Sequence, residues 1–263
     1  MLLVKEITNF LETKFPLSLA CKWDNVGLQV GDYNREVKRV MVALDATIPV
    51  IAKAIEQQVD LLITHHPLIF SPITAIDFST TQGQKLQQLI QHEITLYAMH
   101  TNYDLAPRGM NDLLANALGL LEIKPLINRD DLDGLGRLGN LEKALPFSNL
   151  VALIKAKKLS GDGDVIKTVE ANGANLIKKV AVIGGSGGKY FADAKAAGAD
   201  VLVTGDVTYH LAIDAKEMGL SLIDIGHFAE IIMERAVATL LRGAFATDLL
   251  VLTSAGVSPI SYH

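Results

Sequence analysis

Apolar residues recur along this chain in two patterns, short continuous runs that end at polar residues or glycine, and longer stretches at helical spacing between those runs. Val4, Ile7, Leu11 and Phe15 stand at helical spacing among lysines and glutamates, and Pro16 stops the turn, which predicts an amphipathic helix over 2–15. Val26, Leu28 and Val30 alternate with Gly27 and Gln29 as in a half-buried strand, and Trp23 just before them is expected to pack. Val40 to Asp45 reads as a buried strand ending at an acid, 49–58 as a helix, and 59–64 as a second buried strand. Strand, helix and strand in such quick succession make a βαβ unit, hence parallel sheet. A helix over 82–92, a strand over 94–99, and a helix from Met110 to Leu118 closed by Gly119 follow.

The second half repeats the first. Val40-Met41-Val42-Ala43-Leu44-Asp45 aligns with Val180-Ala181-Val182-Ile183-Gly184-Gly185 at an offset of 140, and at that offset Asp60 to His66 aligns with Asp200 to Asp206. Ile94 up to His100 resembles Leu220 up to His227 at a shorter offset. The expectation is an α/β protein of two related α/β units with a dinuclear metal site in the cleft between them. The segment 128–146, with Asp130, Asp131 and several glycines, is the expected boundary, giving domains 1–127 and 128–263.

Composition narrows the classes. A chain of 263 residues is long enough for two cores. Its single cysteine, Cys21, excludes disulfides within the chain and Cys-based zinc or iron–sulfur sites, and is simplest as a reduced cytoplasmic residue. Leu17-Ser18-Leu19-Ala20 before it faintly resembles a lipoprotein cleavage site, but Glu6 and Glu12 interrupt the apolar stretch that such a signal needs. No run approaches the roughly 20 apolar residues of a membrane span. The net charge of −5 argues against nucleic acid as a partner. A mean hydropathy of +0.29 with 20% charged residues leaves apolar surface for a subunit interface, so a homo-oligomer is expected.

Candidate chemistry gathers at strand ends. The run Leu61-Leu62-Ile63-Thr64 stops at His65-His66-Pro67, and both imidazoles can face one site only if the backbone breaks there. His100 is followed by Asp104, and His227 by Glu230, each just past a strand's carboxyl end, where open α/β sheets build sites. His65, His66, Asp104, His227 and Glu230 suit Zn, Fe, Mn or Ni, and five such ligands suit two divalent ions sharing a carboxylate. Taken singly, Asp104 would be a turn or cap residue and Glu230 a first-turn charge; their conjunction makes the site. Glu234, one turn further, reads as a solvated ion-pair partner, and His92 and His263 as surface residues. Gly184, Gly185, Ser186 and Gly187 follow a strand and could cradle an anion or simply make a tight turn. His100 and His210 are candidates to orient a ligand or move a proton.

At these residues the chain resembles the Nif-three-like family, whose bacterial members carry the name GTP cyclohydrolase 1 type 2 homologue. The resemblance rests on Trp23-Asp24-Asn25-Val26-Gly27-Leu28-Gln29-Val30-Gly31, Leu44-Asp45-Ala46-Thr47, Ile63 to Pro67, His100 to Asp104 with Ala106-Pro107, Gly184 to Gly187, Thr204-Gly205, and Gly226-His227 with Glu230. It implies a dinuclear centre in which His66 and Asp104 hold one ion, His65 and His227 the other, and Glu230 bridges. It implies a ring-shaped hexamer and a small-molecule substrate, possible nucleotides included. Some members bridge with a glutamate four residues after the histidine, where this chain has Ile231. Asp206 and Tyr209 also depart from the usual pattern, so the resemblance carries no substrate role to them. The first function expected is a metal-dependent hydrolase of the GTP cyclohydrolase 1 type 2 kind; the alternative is a metal-binding regulatory or scaffold protein that acts through partner contacts.

Overall fold

In the computed structural model, which describes residues 1–129, 132–161, 163, 165–171 and 176–261, the amphipathic start of the chain forms strand β1 (Leu2–Leu3) and helix α1 (Val4–Glu12). Glu6 Oε2 accepts from the Leu3 N–H at 2.7 Å, satisfying one donor at the helix start, and Val4, Ile7 and Leu11 are buried. Strands β2 (Gly27–Val30), β3 (Glu36–Val37) and β4 (Arg39–Ala43) follow, then α2 (Ile48–Glu56), β5 (Leu61–Thr64), α3 (Thr81–Gln91), β6 (Thr95–Ala98) and α4 (Thr101–Leu105). Thr47 caps α2 by accepting from the Val50 N–H. Strands β4, β5 and β6 are parallel, β2 lies antiparallel on β6, and β1 pairs with β3. Met41, Ile51, Leu62, Leu89 and Leu96 form a buried core on one side of this sheet, as near-continuous apolar strands covered by helices require.

The chain continues through α5 (Met110–Leu118), β7 (Leu121–Pro125), β8 (Arg137–Leu145), α6 (Phe147–Ala156), β9 (Lys167–Val169), β10 (Ile177–Val182), α7 (Phe191–Ala196), β11 (Val201–Thr204), α8 (Tyr209–Glu217) and β12 (Ser221–Asp224). These strands form a second sheet in the order β7-β8-β10-β11-β12-β9, with β10, β11 and β12 parallel. A 3-10 turn over His227–Ile231 leads into α9 (Ile232–Phe245), and β13 (Leu250–Thr253) completes the chain's strands. Strand β13 pairs parallel with β4, so the first sheet reads β13-β4-β5-β6-β2.

The expected repeat is present in the pairing. Val40 lies opposite Leu61 between β4 and β5, and Val180 opposite Val201 between β10 and β11, the same register 140 residues on. Asp60 Oδ2 accepts from the Lys38 and Arg39 N–H groups at 2.8 and 2.9 Å. Asp200 Oδ2 accepts from the Lys178 and Lys179 N–H groups at 2.8 and 2.7 Å. Each unit thus starts its first parallel strand on a carboxylate carried by the second.

The boundary between units differs from the one expected at 127/128. One compact unit comprises 1–106 with 233–257, the other 107–232 with 258–263. Helix α5 and strand β7 go with the second sheet, because β7 pairs with β8 and Asn111 on α5 accepts from the Gly184 N–H. The C-terminal stretch returns to the first because β13 has its partner there. Asp130, Asp131 and His263 lie outside the described residues.

Two other expectations change. Glu234 is not solvated: it is 4% exposed, its carboxylate accepts from the Ser254 hydroxyl and the Ala255 N–H, and burial raises its pKa despite those bonds. Trp23 is not packed away but 53% exposed. His92 is exposed as expected. Among the described residues no helix is long and apolar enough to cross a membrane.

Candidate metal centre

In the first unit β5 ends at Thr64, and the backbone leaves the ladder there. The Thr64 hydroxyl donates to the His66 carbonyl at 2.9 Å, while the His66 N–H reaches back to the Leu44 carbonyl at 3.1 Å. That break brings two adjacent side chains to one side, with the His65 and His66 ring centroids 4.9 Å apart. His65 is fully buried. Its Nδ1 lies 2.8 Å from the Met99 carbonyl, which can only accept, so Nδ1 carries a hydrogen. Asp104 Oδ1, on α4, stands 3.5 Å from that Nε2.

Two aspartates do for the neighbouring rings what Met99 does for His65. His66 Nδ1 lies 2.8 Å from Asp45 Oδ1, and His100 Nδ1 lies 2.9 Å from Asp24 Oδ1. Asp24 also accepts from the Thr101 N–H and hydroxyl at 3.0 and 2.5 Å. Burial alone would raise the Asp24 pKa, but the bonds from His100 and Thr101 outweigh it and hold the pKa at about 2. Ring nitrogens of His65, His66 and His100 lie within 4.8 Å of one another.

In the second unit the donors sit on the 3-10 turn after β12, where residues three apart eclipse. His227 Nε2 is accordingly 3.2 Å from Glu230 Oε2. His227 Nδ1 lies 2.7 Å from Asp206 Oδ2, which also accepts from the Ser186 hydroxyl. Burial would raise the Asp206 pKa, but the Ser186 and His227 bonds lower it overall. Asp224, at the end of β12, accepts from the Gly226 and Val207 N–H groups at 2.9 and 3.0 Å, fixing the turns that carry His227 and Asp206.

The glycine loop, expected as an anion cradle or a tight turn, lies against a carboxylate of its own unit. Glu230 is 3% exposed, and a Cβ on Gly184 or Gly185 would come within 2.9 Å of its Oε1, so these glycines make room for the carboxylate. The Gly184 N–H is donated to Asn111 and the Gly187 N–H to the Thr204 hydroxyl, at 2.9 and 3.0 Å. The Ser186 hydroxyl donates to Asp206, so three of the loop's polar groups bond within the unit itself. His210, the other residue suggested for orienting a ligand or moving a proton, is exposed on the first turn of α8 with its ring beside Tyr209.

The rings of His65, His66, His100 and His227 share one arrangement, each with Nδ1 on a carbonyl or carboxylate oxygen. This is how proteins fix the tautomer of metal-binding histidines. His65 Nε2 and Asp104 Oδ1 face one another at 3.5 Å, an imidazole nitrogen and a carboxylate oxygen that can both coordinate a cation. The donors present therefore fit a divalent metal, with imidazole nitrogen and carboxylate oxygen suited to Zn, Fe, Mn or Ni. The orienting residues Asp24, Asp45, Asp206 and Asp224 were not picked out by sequence reasoning as parts of the site. Each lies within or next to a strand or motif that the sequence marks, which is the available signal. Removing Asp206 leaves the His227 ring free to turn, so Asp206→Ala is expected to weaken metal binding by about 10 to 100-fold, measured by competition with a chromophoric chelator.

A family model, Duf34/NIF3 (NGG1p interacting factor 3), matches residues 2–256. A Clostridium perfringens protein named GTP cyclohydrolase 1 type 2 homolog is 39% identical over 234 residues, spanning 86% of this chain and 85% of that one. Among solved structures, the Staphylococcus aureus hypothetical protein SA1388 superposes with a TM-score of 0.91 at 33% identity, covering 99% of each chain. Reduced HcgD from Methanocaldococcus jannaschii gives 0.83 at 34% identity over 97% of this chain and 98% of that one. By extent and identity of match, the chain belongs to the Duf34/NIF3 family.

Proposed function

We propose that the donors of the two units serve one dinuclear metal centre, and that the protein is a metal-dependent hydrolase of the GTP cyclohydrolase 1 type 2 kind, opening a purine nucleotide or a related substrate with water. The observation that carries this reading is the shared imidazole arrangement, four rings each oriented through Nδ1 by a carbonyl or carboxylate oxygen, as metal-binding histidines are. The names of the curated relatives supply the substrate class. In the assignment we favour, His66 and Asp104 hold one ion, His65 and His227 the other, and Glu230 bridges. Bound metals of this kind activate water near neutral pH and polarise the group that it attacks. Asp45 and Asp206 keep the His66 and His227 rings turned so that Nε2 serves as donor. In this reading His100, with its ring centroid 5.2 Å from that of His65 and its Nδ1 on Asp24, passes a proton through Nε2.

The test is to incubate metal-loaded protein with GTP and with a phosphate monoester, following formate and phosphate release. Formate release from GTP that chelation abolishes and added metal restores, while light scattering still finds the hexamer we propose, supports the reading. Chelation that dissolves the oligomer, with no turnover before or after, would leave a metal-held scaffold instead.

A further inference from the structure

Beside the histidines of the first unit stand two aromatic side chains that the fold leaves open. Trp23 is 53% exposed and Phe70 49%, and their ring centroids are 5.7 Å apart with planes tilted by 41°. Both rings touch His100, Trp23 at 6.0 Å and Phe70 at 6.3 Å, and His100 in turn lies against His65 and His66. Exposed aromatics cost solvation and are usually turned inward unless something covers them. Here the backbone holds them outward. The Asn25 side-chain amide donates to the Ile69 carbonyl at 2.6 Å, and Gln29 accepts from the Ile69 N–H at 3.0 Å while donating to the Asn25 carbonyl at 2.8 Å. Asp24, the residue after Trp23, is tied to Thr101 and His100. The two loops that carry the rings are therefore clamped to each other and to the site, so the surface is ordered before any ligand arrives.

We infer that Trp23 and Phe70 form a ledge on which a planar heteroaromatic ring of the substrate stacks, holding it against His100 at the edge of the donor set. The inference rests on the hydrolase reading for the word substrate, but its physics is independent of turnover. Metals and carboxylates act equally well on a phosphate ester or an amide and gain nothing from an aromatic face. A conjugated ring gains a stacking surface from both indole and phenyl, without selectivity among bases, since every base has a π-face. The ledge thus selects for ring-bearing compounds and leaves the choice among them to other contacts.

Trp23 is the single tryptophan of the chain, so its emission reports on the ledge alone. Metal-loaded protein titrated with GMP, AMP and ribose 5-phosphate should show saturable quenching by both nucleotides and none by the sugar phosphate. Phe70→Ser keeps the reporter and should raise the GMP dissociation constant about tenfold, equivalent to about 1.4 kcal/mol and within the range of one base stacked on an aromatic side chain. By calorimetry Trp23→Ala should weaken GMP similarly, and Trp23→Phe should restore part of the loss, with metal content and sedimentation unchanged in all three variants. Equal quenching by ribose 5-phosphate, or GMP binding to Phe70→Ser as tight as to the parent, would overturn the inference. So would a Trp23→Ala variant that binds GMP normally but changes oligomer mass, since the ledge would then belong to a second copy of the chain. Nucleotide bound on the ledge with no formate released leaves the ledge standing and removes the hydrolase reading. Formate release with an unchanged KM in Phe70→Ser does the reverse.

Discussion

On the proposed dinuclear centre, Glu230→Gln is expected to lower metal content from two ions per chain toward one and to cut the proposed hydrolysis by orders of magnitude while the fold survives. The carboxylate is buried, with Oε1 against Gly184 and Gly185 and Oε2 3.2 Å from His227 Nε2. Glutamine fills nearly the same volume, and its amide can donate to that imidazole nitrogen, so local packing has a replacement for what it loses. The negative charge that would offset the repulsion between two nearby cations has no replacement. A single remaining ion cannot divide the tasks of activating water and polarising the substrate as a pair does. Elemental analysis, a thermal melt and formate release together check the prediction. Glu234, one turn further on, is committed to Ser254 and Ala255, so Glu234→Gln should leave metal stoichiometry unchanged. If Glu234→Gln instead empties the site and Glu230→Gln does not, the bridge has been given to the wrong residue.

Asp112→Ala should be among the most destabilising single changes, about 3 kcal/mol, without touching the metal donors. Arg137 is 3% exposed, and its guanidinium is held by both Asp112 oxygens, at 2.5 and 3.1 Å, and by the carbonyls of Gly134 and Gly136. Deleting the carboxylate removes the anion that faces a buried cation, and breaking a buried pair from one side costs several kcal/mol. The bonds to Gly134 and Gly136 remain and keep the expected loss at the low end of that range. Replacing both members, Asp112→Ala with Arg137→Leu, should recover part of it, because the charge leaves with its partner. Urea denaturation followed by circular dichroism measures both steps; equal stability of parent and Asp112→Ala would show that the ion pair contributes nothing.

The parts of this protein that could be read from its sequence are those whose signal is local. Apolar runs marked β4, β5, β6, β10, β11 and β12, and the proline after His65-His66 marked the break that brings the two rings together. The offset of 140 carried more than strands, since Asp60 and Asp200 repeat the same two hydrogen bonds. What escaped depends on distant partners. Asp24 lies 76 residues before His100, and Asp45 and Asp206 each precede their histidine by 21, separations with no periodicity to betray them. Strand β13 is a short apolar stretch whose place is decided by β4, far back in the chain, so the boundary drawn by composition at 127/128 missed the return. Glu234 and Trp23 were misjudged for one reason. Residue type predicts average burial, whereas Ser254 makes a polar socket for the first and the clamped loops hold the second outward.

The discontinuous first unit also sets an order of events during synthesis. Residues 107–232 make nearly all of the second unit in one unbroken segment, which can close as soon as it has emerged from the ribosome. The first unit begins emerging earlier yet must wait for residues 233–257, because β4 lacks a neighbour on one side until Leu250–Thr253 arrive. For the whole interval between, the nascent chain carries a buried-type strand with an open edge, a template for pairing with the same strand of another chain on a crowded polysome. Strand β13 is the one that retires this hazard, so a ribosome stalled before Leu250 would release an aggregation-prone chain even though most of the sheet hydrogen bonds among the described residues were already in place.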